Sequence, residues 1–405
     1  MSWIEHIGFG LGTLGPKLWV KVTEDVRLHR DFENGEMVMT MRYGLLGAGM
    51  MGREHLRNLA LFDDIEVVGI CEPDLRMQEK TLAQEPNAQF VQDLPALLSL
   101  GLDALVIATP NYQHIDQLMV VIEQCDIPIL VEKPVVTRLE DIARIRAGVA
   151  AQSKQVWVGM EYRFMPALTL FANEIGQVGP PTMLNIREHR YPFLKKVNDW
   201  NRFNRFSGGT FVEKCCHFFD LMRLFLNADP VRVFASGGQD VNHLDERYDG
   251  EQPDILDNGF VVVEFENGCR AMLDLCMFTE GVKFEQEISL VGDKGRLDCQ
   301  IPGPLAMKNA PESRAQVTFS PRRSYGPEIR SIEVGEDLLR AGSHQGATYY
   351  QHKAFLARLQ SQSAPAVSLD DGLKAVLVGL AAQASISSHQ AIEIDCQQFI
   401  LRPVA

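Results

Sequence analysis

"MRYGLLGAGMMGREHL", residues 41–56, decides the fold. It opens as a short apolar run suited to a buried strand. Gly47, Gly49 and Gly52 then follow in GxGxxG spacing, with Met50 and Met51 inside the turn and a helical stretch beyond. Glycines there permit a tight turn and the close approach of a pyrophosphate to the N–H groups that open the helix. The motif alone is weak evidence, but Glu72 strengthens it. This residue ends the next apolar run, "IEVVGICE" (65–72), about 20 residues after Gly52, where a carboxylate can accept hydrogen bonds from adenosine ribose hydroxyls. The same carboxylate repels a ribose 2′-phosphate, which favours NAD over NADP. Arg76 nearby keeps NADP open as the second choice.

Outward from this unit, strands are expected at 42–47, 65–72, 104–109 and 128–133, with helices after Gly49, at 74–84 and at 114–124. Short apolar strands alternating with helices mean a parallel sheet covered on both faces. A helix at 139–152 leads to one more apolar strand at 155–162. Then the pattern changes to longer strands, at 182–190, 231–236, 259–266, 269–278 and 283–291, with Asn267-Gly268 as a hairpin turn. Residues 302–345 read as an irregular excursion, and 369–387 as a helix. The fold class is therefore α/β: an N-terminal Rossmann dinucleotide-binding domain at 41–161, then a C-terminal α+β domain at 162–405 with an open, mainly antiparallel sheet. Residues 1–40 read as an extension.

The chain has 405 residues and a net charge of −14, which argues against nucleic acid or an anionic membrane surface as partner and for a small molecule. Eight cysteines form no CxxC pair, so they read as small buried hydrophobes in a reducing, cytoplasmic compartment. No apolar run is long enough to span a bilayer. Cys215 and Cys216 cannot chelate a metal alone, and no His, Cys or carboxylate cluster has metal-ligand spacing, so no metal is expected.

Four further motifs, "ATPNYQH" (108–114), "EKP" (132–134), "GMEYRFMP" (159–166) and "GGTFVEKCCHFFD" (208–220), follow in order. Together with the glycine turn they resemble the glucose–fructose oxidoreductase and inositol dehydrogenase family, Gfo/Idh/MocA, from about Arg42 to the end. The resemblance implies a nicotinamide held between the two domains, with Thr109, Pro110, Asn111, His114, Glu132 and Lys133 joining the glycine turn around the cofactor. It implies that Lys133 hydrogen-bonds the reacting hydroxyl, that Pro134 follows a cis bond and that His217 is the catalytic histidine. Glu213 falls where many relatives carry Asp. Substrates in the family are pyranoses, cyclitols and their acids, and its second domain often builds homo-oligomers, dimers or tetramers. Some relatives are glycosidases that retain NAD, oxidise a ring hydroxyl transiently, eliminate, hydrate and reduce again; others are ligand sensors, against which the presence of both Lys133 and His217 speaks.

The residues themselves leave defined alternatives. A histidine with its ordinary pKa near 6.5 suits the removal of a hydroxyl proton at neutral pH. Glu213, four residues earlier, either orients that imidazole or caps the helix start in a Thr210–Glu213 capping box. Lys133 either polarises the substrate oxygen or is an ordinary strand-end lysine. Arg163 either holds substrate or makes an ion pair inside the second domain, and Asp220 is structural. His344 and Tyr349, in "GSHQGATYYQH" (342–352), are either sugar contacts or surface-loop residues. Arg187, Arg190, Lys195, Lys196, Arg202 and Arg205 outnumber Glu188 and Asp199 over 186–205. That local excess either attracts an anionic substituent or is a solvated or oligomer-facing surface. The expected activity is oxidation of a secondary hydroxyl of a sugar, sugar derivative or cyclitol by NAD, with the glycosidase as the alternative.

Overall fold

Two sheets carry the chain, seen in a computed structural model that describes residues 40–149, 156–310 and 312–404. The expected extension, up to residue 39, lies outside the described residues, as do the end of the expected helix 139–152 and the first residue of the strand after it. The first sheet comprises β1 (Met41–Leu46), β2 (Ile65–Cys71), β3 (Phe90–Val91), β4 (Ala104–Ile107), β5 (Ile129–Glu132) and β6 (Val156–Gly159). All pairs are parallel, in the order β3-β2-β1-β4-β5-β6. This is the doubly wound order that places ligands beyond the strand C-termini where the order reverses, between β1 and β4. β4 and β5 are buried throughout because helices cover both faces, so β4 and the first three residues of β5 read as apolar runs, with Glu132 at the end of β5.

The second sheet has ten strands: β7 (Pro181–His189), β8 (Pro230–Gly238), β9 (Asn258–Phe265), β10 (Arg270–Cys276), β11 (Gln286–Gly292), β12 (Gly295–Ile301), β13 (Ala315–Pro321), β14 (Glu328–Ile332), β15 (Ile392–Asp395) and β16 (Ile400–Pro403). Their order is β14-β13-β12-β11-β7-β10-β9-β8-β15-β16, antiparallel except for β7 with β10. The Asn267-Gly268 turn joins β9 to β10, with Gly268 at φ 81°. Alternate residues of β8, β9 and β10 are buried; helix Leu369–Ser388 packs on β8 and helix Cys216–Leu226 on β7.

One expectation needs correction. Residues 302–345 are not an irregular excursion: they hold helix Pro304–Asn309, the β13–β14 hairpin and helix Glu336–Ala341. β14 is an edge strand whose residues are exposed on both sides, so no buried face imposes alternation on its sequence. Helix Ala347–Ser361 was also illegible. It crosses back to the first sheet, where Phe355 meets Tyr43 of β1 and Trp157 of β6 edge-on. Among the described residues no helix is long and apolar enough to cross a membrane.

Helix Leu369–Ser388 opens with a full capping box between Ser368 and Asp371 and lies directly against the segment that carries His217. At Gly379 a Cβ would stand 2.5 Å from the Phe211 carbonyl oxygen. Backbone cannot yield as a side-chain tip can. Gly379→Ala is therefore expected to destabilise the fold by about 1–3 kcal/mol in urea titration, overpacking outweighing the higher helix propensity of alanine. A stabilised variant would contradict this packing.

Candidate active site

The C-terminal edge of the first sheet opens on a cavity of about 840 Å³. Its wall combines Gly47, Gly49, Met50 and Met51 of the turn, Glu72 at the end of β2, Thr109–His114 after β4, and Glu132 and Lys133 at the end of β5. Residues Leu194–Trp200, from the second half of the chain, complete it.

Each motif glycine has its own reason. Gly47 sits at φ +92°, a left-handed conformation that favours glycine, and its Cβ would strike the Ala108 carbonyl oxygen at 2.8 Å. At Gly52 a Cβ would lie 2.1 Å from the Gly47 carbonyl oxygen, so the helix can seat on the strand only without one. A Cβ at Gly49 would meet nothing within 4 Å, and this position faces the cavity. Helix Met50–Leu59 has no side-chain cap, which leaves its first N–H groups available to an anion. These features fit a dinucleotide pyrophosphate. Glu72 accepts from the Ala48 N–H (2.8 Å) and the Asp74 N–H (2.8 Å), which fixes its carboxylate beside the turn. Arg76 is engaged by the Asp74 carboxylate at 2.7 Å.

The opposite end of the cavity is built on β4 and β5. His114 is buried between the two strand ends, with its ring nitrogens 2.8 Å from the Pro134 carbonyl and 2.9 Å from that of Thr109, to one of which a neutral ring donates. Asn111 donates to the Ser207 carbonyl at 3.0 Å, a tie to the second half of the chain. The Lys133–Pro134 bond is cis. The Lys133 ammonium donates to the main-chain carbonyl of Glu213 at 3.1 Å.

The segment bearing Glu213 and His217 is not one continuous helix. Thr210–Glu213 and Cys216–Leu226 are separate, and at the break the Cys215 N–H reaches the Thr210 carbonyl five residues back (3.3 Å). Such a widened turn changes which residues share a face. Glu213 therefore binds Lys196 (2.9 Å), and Asp220 binds Arg163. His217 lies with its ring stacked on Tyr162, centroids 4.2 Å apart. The capping box does not form: Gly209 is the N-cap, and the Thr210 hydroxyl donates to the Leu256 carbonyl. Nor does the Glu213 carboxylate touch the imidazole; one of its oxygens and His217 Nδ1 are buried with no hydrogen-bond partner among the described residues.

His217 is 3% exposed and is not among the residues that line this cavity. Burial pushes its pKa well below the usual value, and the charges of Lys133, Lys214, His344 and Arg190 add to that. Its imidazole is neutral at pH 7. The Tyr162 hydroxyl beneath it accepts from Lys214 (2.7 Å) and Gln286 (3.1 Å), and Lys214 in turn pairs with Glu188 (2.8 Å).

Three expected contacts do not line this cavity, although His344 lines a smaller pocket beside it with Tyr162 and Arg190. Arg163 spends its donors on Asp220 and the Ala366 carbonyl. Tyr349 stacks on Phe62, centroids 4.7 Å apart, away from the cavity wall. His344 stands 3.1 Å from Glu54 and 3.2 Å from Glu161, in a small group completed by the Ser343 N–H and the Thr348 hydroxyl. The sequence offered no metal-ligand spacing, yet these three side chains, from distant segments, hold ligand atoms within 4.8 Å of one another. Burial alone would lower the His344 pKa, but the Glu161 and Glu54 carboxylates override it and raise it to about 9, which favours the protonated imidazole between them. The basic stretch 186–205 is dispersed: Arg187 pairs with Glu287, Arg190 with Glu188, Arg202 with Glu246 and Arg205 with Glu251. Only Lys195 and Lys196 of it face the cavity. Sequence reading missed Glu54 and His55, whose signal was charge on the inner side of the helix after the glycine turn, and Tyr162 and Lys214, whose signal was their place inside two of the quoted motifs.

Comparison with known proteins agrees with this architecture. A family model described as "Oxidoreductase family, NAD-binding Rossmann fold" matches residues 41–160, and one described as "Oxidoreductase family, C-terminal alpha/beta domain" matches 173–394. The chain is 25% identical over 362 residues to a myo-inositol 2-dehydrogenase of Thermotoga maritima, covering 88% of this chain and 99% of that protein. It is 25% identical over 367 residues to an inositol 2-dehydrogenase of Rhizobium meliloti, covering 88% and 100%. In fold it is similar to the WlbA dehydrogenase of Bordetella pertussis, solved with NADH and UDP-GlcNAcA, at a TM-score of 0.67, 21% identity and coverage of 88% and 99%.

The His344 group predicts a pH dependence with a definite sign. The folded pKa, about 9, lies above the ordinary 6.5, so the stability from His344 is fully present below pH 6.5 and lost as pH rises through 9. In urea denaturation, the stability difference between the wild type and His344→Gln is expected to shrink steadily across that window. A difference that grows with pH would refute the assignment.

Proposed function

The chain belongs to the Gfo/Idh/MocA oxidoreductase family, and from that premise we propose that it oxidises a secondary hydroxyl of a sugar, sugar derivative or cyclitol, using NAD. Residues 41–161 hold the dinucleotide, and 162–405 supply the substrate side. The observation that carries this reading is the meeting of Lys133, at the inner end of the cavity, with the turn that leads into His217. Bound NAD supplies a nicotinamide ring able to take the hydride from the alcohol carbon. The neutral imidazole of His217 accepts the hydroxyl proton; a lowered pKa favours this state before reaction. The Lys133 ammonium, held by the Glu213 carbonyl, donates toward the same oxygen and stabilises the developing alkoxide. Glu213 acts as a positioning residue, its main chain holding Lys133 and its carboxylate holding Lys196. Buried polar atoms without partners, His217 Nδ1 and one Glu213 oxygen, suit a hydroxylated ligand. NAD is favoured over NADP because Glu72 presents a fixed carboxylate and Arg76 is already paired with Asp74.

The outer face of the second sheet supports a homo-oligomer, a dimer or tetramer. Phe234, Val262 and Met272 are cross-strand neighbours on β8, β9 and β10, with Phe260 on the same face, and all are exposed, from 36% to 56%. A contiguous apolar patch of this kind suits burial against a second copy.

With a panel of polyols that includes myo-inositol, NADH is expected to accumulate, and NADPH to bind more weakly than NADH. Lys133→Met and His217→Gln should each lower kcat by about 10²–10⁴-fold while dinucleotide binding is retained. Full activity in either variant would end the proposed mechanism. Sedimentation equilibrium should show Phe260→Asp dissociating the oligomer; a wild-type monomer would remove the oligomer proposal.

A further inference from the structure

Inward from the cavity wall runs a chain of three buried groups that the proposed reaction does not use. Glu132 is 4% exposed, His55 and His352 are both fully buried, and the three come from β5, from the helix after the glycine turn and from helix Ala347–Ser361. His55 Nε2 lies 3.0 Å from a Glu132 oxygen, and His55 Nδ1 lies 2.8 Å from His352 Nε2. The other Glu132 oxygen accepts the Lys133 N–H at 3.2 Å.

Hydrogen-bond logic orders the protons. A carboxylate only accepts, so His55 carries its proton on Nε2. Its Nδ1 is then bare and accepts from His352 Nε2–H. His352 Nδ1 is left unprotonated, and it has no partner among the described residues. Burial keeps the His352 pKa well below its usual value, in keeping with a neutral ring there. Space is reserved for the carboxylate as well: a Cβ at Gly159 would come within 2.9 Å of Glu132 Oε1.

The position of Glu132 gives this chain a meaning. Glu72, at the end of β2, marks the adenosine side, and the glycine turn after β1 marks the pyrophosphate. The remaining half of a dinucleotide must extend toward β4 and β5, where Glu132 and Lys133 line the cavity. The oxidised nicotinamide ring is a cation and the reduced ring is neutral, so a fixed anion there discriminates between them.

Resting on the assignment of NAD as cofactor, we propose that Glu132, held as an anion by the His55–His352 pair, is the counter-charge of the nicotinamide end and strengthens binding of NAD⁺ relative to NADH. Charged and titratable groups around it are His55 on the first helix, Lys133 beside it, His114 on the helix after β4, and Glu161 and Cys216 from the second half of the chain. Glu132 has its pKa held down against burial by the hydrogen bond from His55 and the charge of Lys133. Loss of the His55 donor leaves burial less opposed and raises it.

The test is to titrate the purified protein with NAD⁺ and with NADH from about pH 5 to 8, the range in which a released carboxylate would change charge. Glu132→Gln should lower the NAD⁺/NADH affinity ratio by at least about tenfold at every pH. His55→Met should make the ratio pH-dependent, falling toward low pH, whereas the wild type stays flat. His55→Gln keeps an N–H donor at similar reach and should restore much of the flat profile. An unchanged ratio in Glu132→Gln, or a flat profile in folded His55→Met, would overturn the proposal while leaving the dehydrogenase reading intact. Failure of the wild type to bind either dinucleotide would overturn both. Should His55→Met not fold, the isosteric Glu132→Gln decides alone.

Discussion

One hydrogen bond, from the Lys133 ammonium to the Glu213 carbonyl, joins the two sheets at the place where chemistry is proposed. It depends on where a parallel sheet ends. All six strands of the first sheet deliver their C-termini to one edge, so every group that follows a strand is available to the same cavity. At the end of β5 the residues alternate in direction, as strand residues must. Glu132 turns to His55 and Lys133 to Glu213, so one dipeptide reaches both the helix of the glycine turn and the second half of the chain.

The receiving side of that bond owes its form to the break at Lys214–Cys215. A regular helix would set Glu213, His217 and Asp220 in one stripe, and their partners would compete for the same space. The widened turn separates them. Glu213 goes to Lys196, His217 to the face of Tyr162 and Asp220 to Arg163. Gly379 on the neighbouring helix lets that helix lie close enough to hold the break in place.

Much of this was legible in sequence because some residue types have few other uses. Three glycines spaced around a turn, followed by Glu72, announce a parallel sheet and a dinucleotide, and the long apolar strands with an Asn-Gly turn announce the second sheet. What escaped reading depends on contacts between distant segments. Glu54 meets His344 and His55 meets His352 across almost three hundred residues, and nothing in either segment names its partner. The Thr210–Glu213 spacing fits a capping box, yet Gly209 takes the cap and Lys196 takes the carboxylate. For Arg163 the sequence left an ion pair inside the second domain as one of two alternatives, and tertiary packing realised it with Asp220. β14 escaped because an exposed edge strand has no buried face to impress on its sequence.

Electrostatics ties these observations together. The chain is strongly acidic overall, yet the imidazole of His217 is surrounded by Lys133, Lys214, His344 and Arg190. Each of these cations is held by something that limits its reach: Lys214 and Arg190 by Glu188, His344 by Glu54 and Glu161, Lys133 by a neutral carbonyl. Lys133 alone among them is held by no carboxylate in its own hydrogen bond, and it alone lines the large cavity. An ammonium held by a neutral dipole keeps more of its field for a ligand than one neutralised in an ion pair. A carbonyl also leaves two of its three donors to be satisfied. The choice of a main-chain carbonyl as its anchor therefore orients Lys133 without quenching it, as a group that must stabilise a transient alkoxide requires.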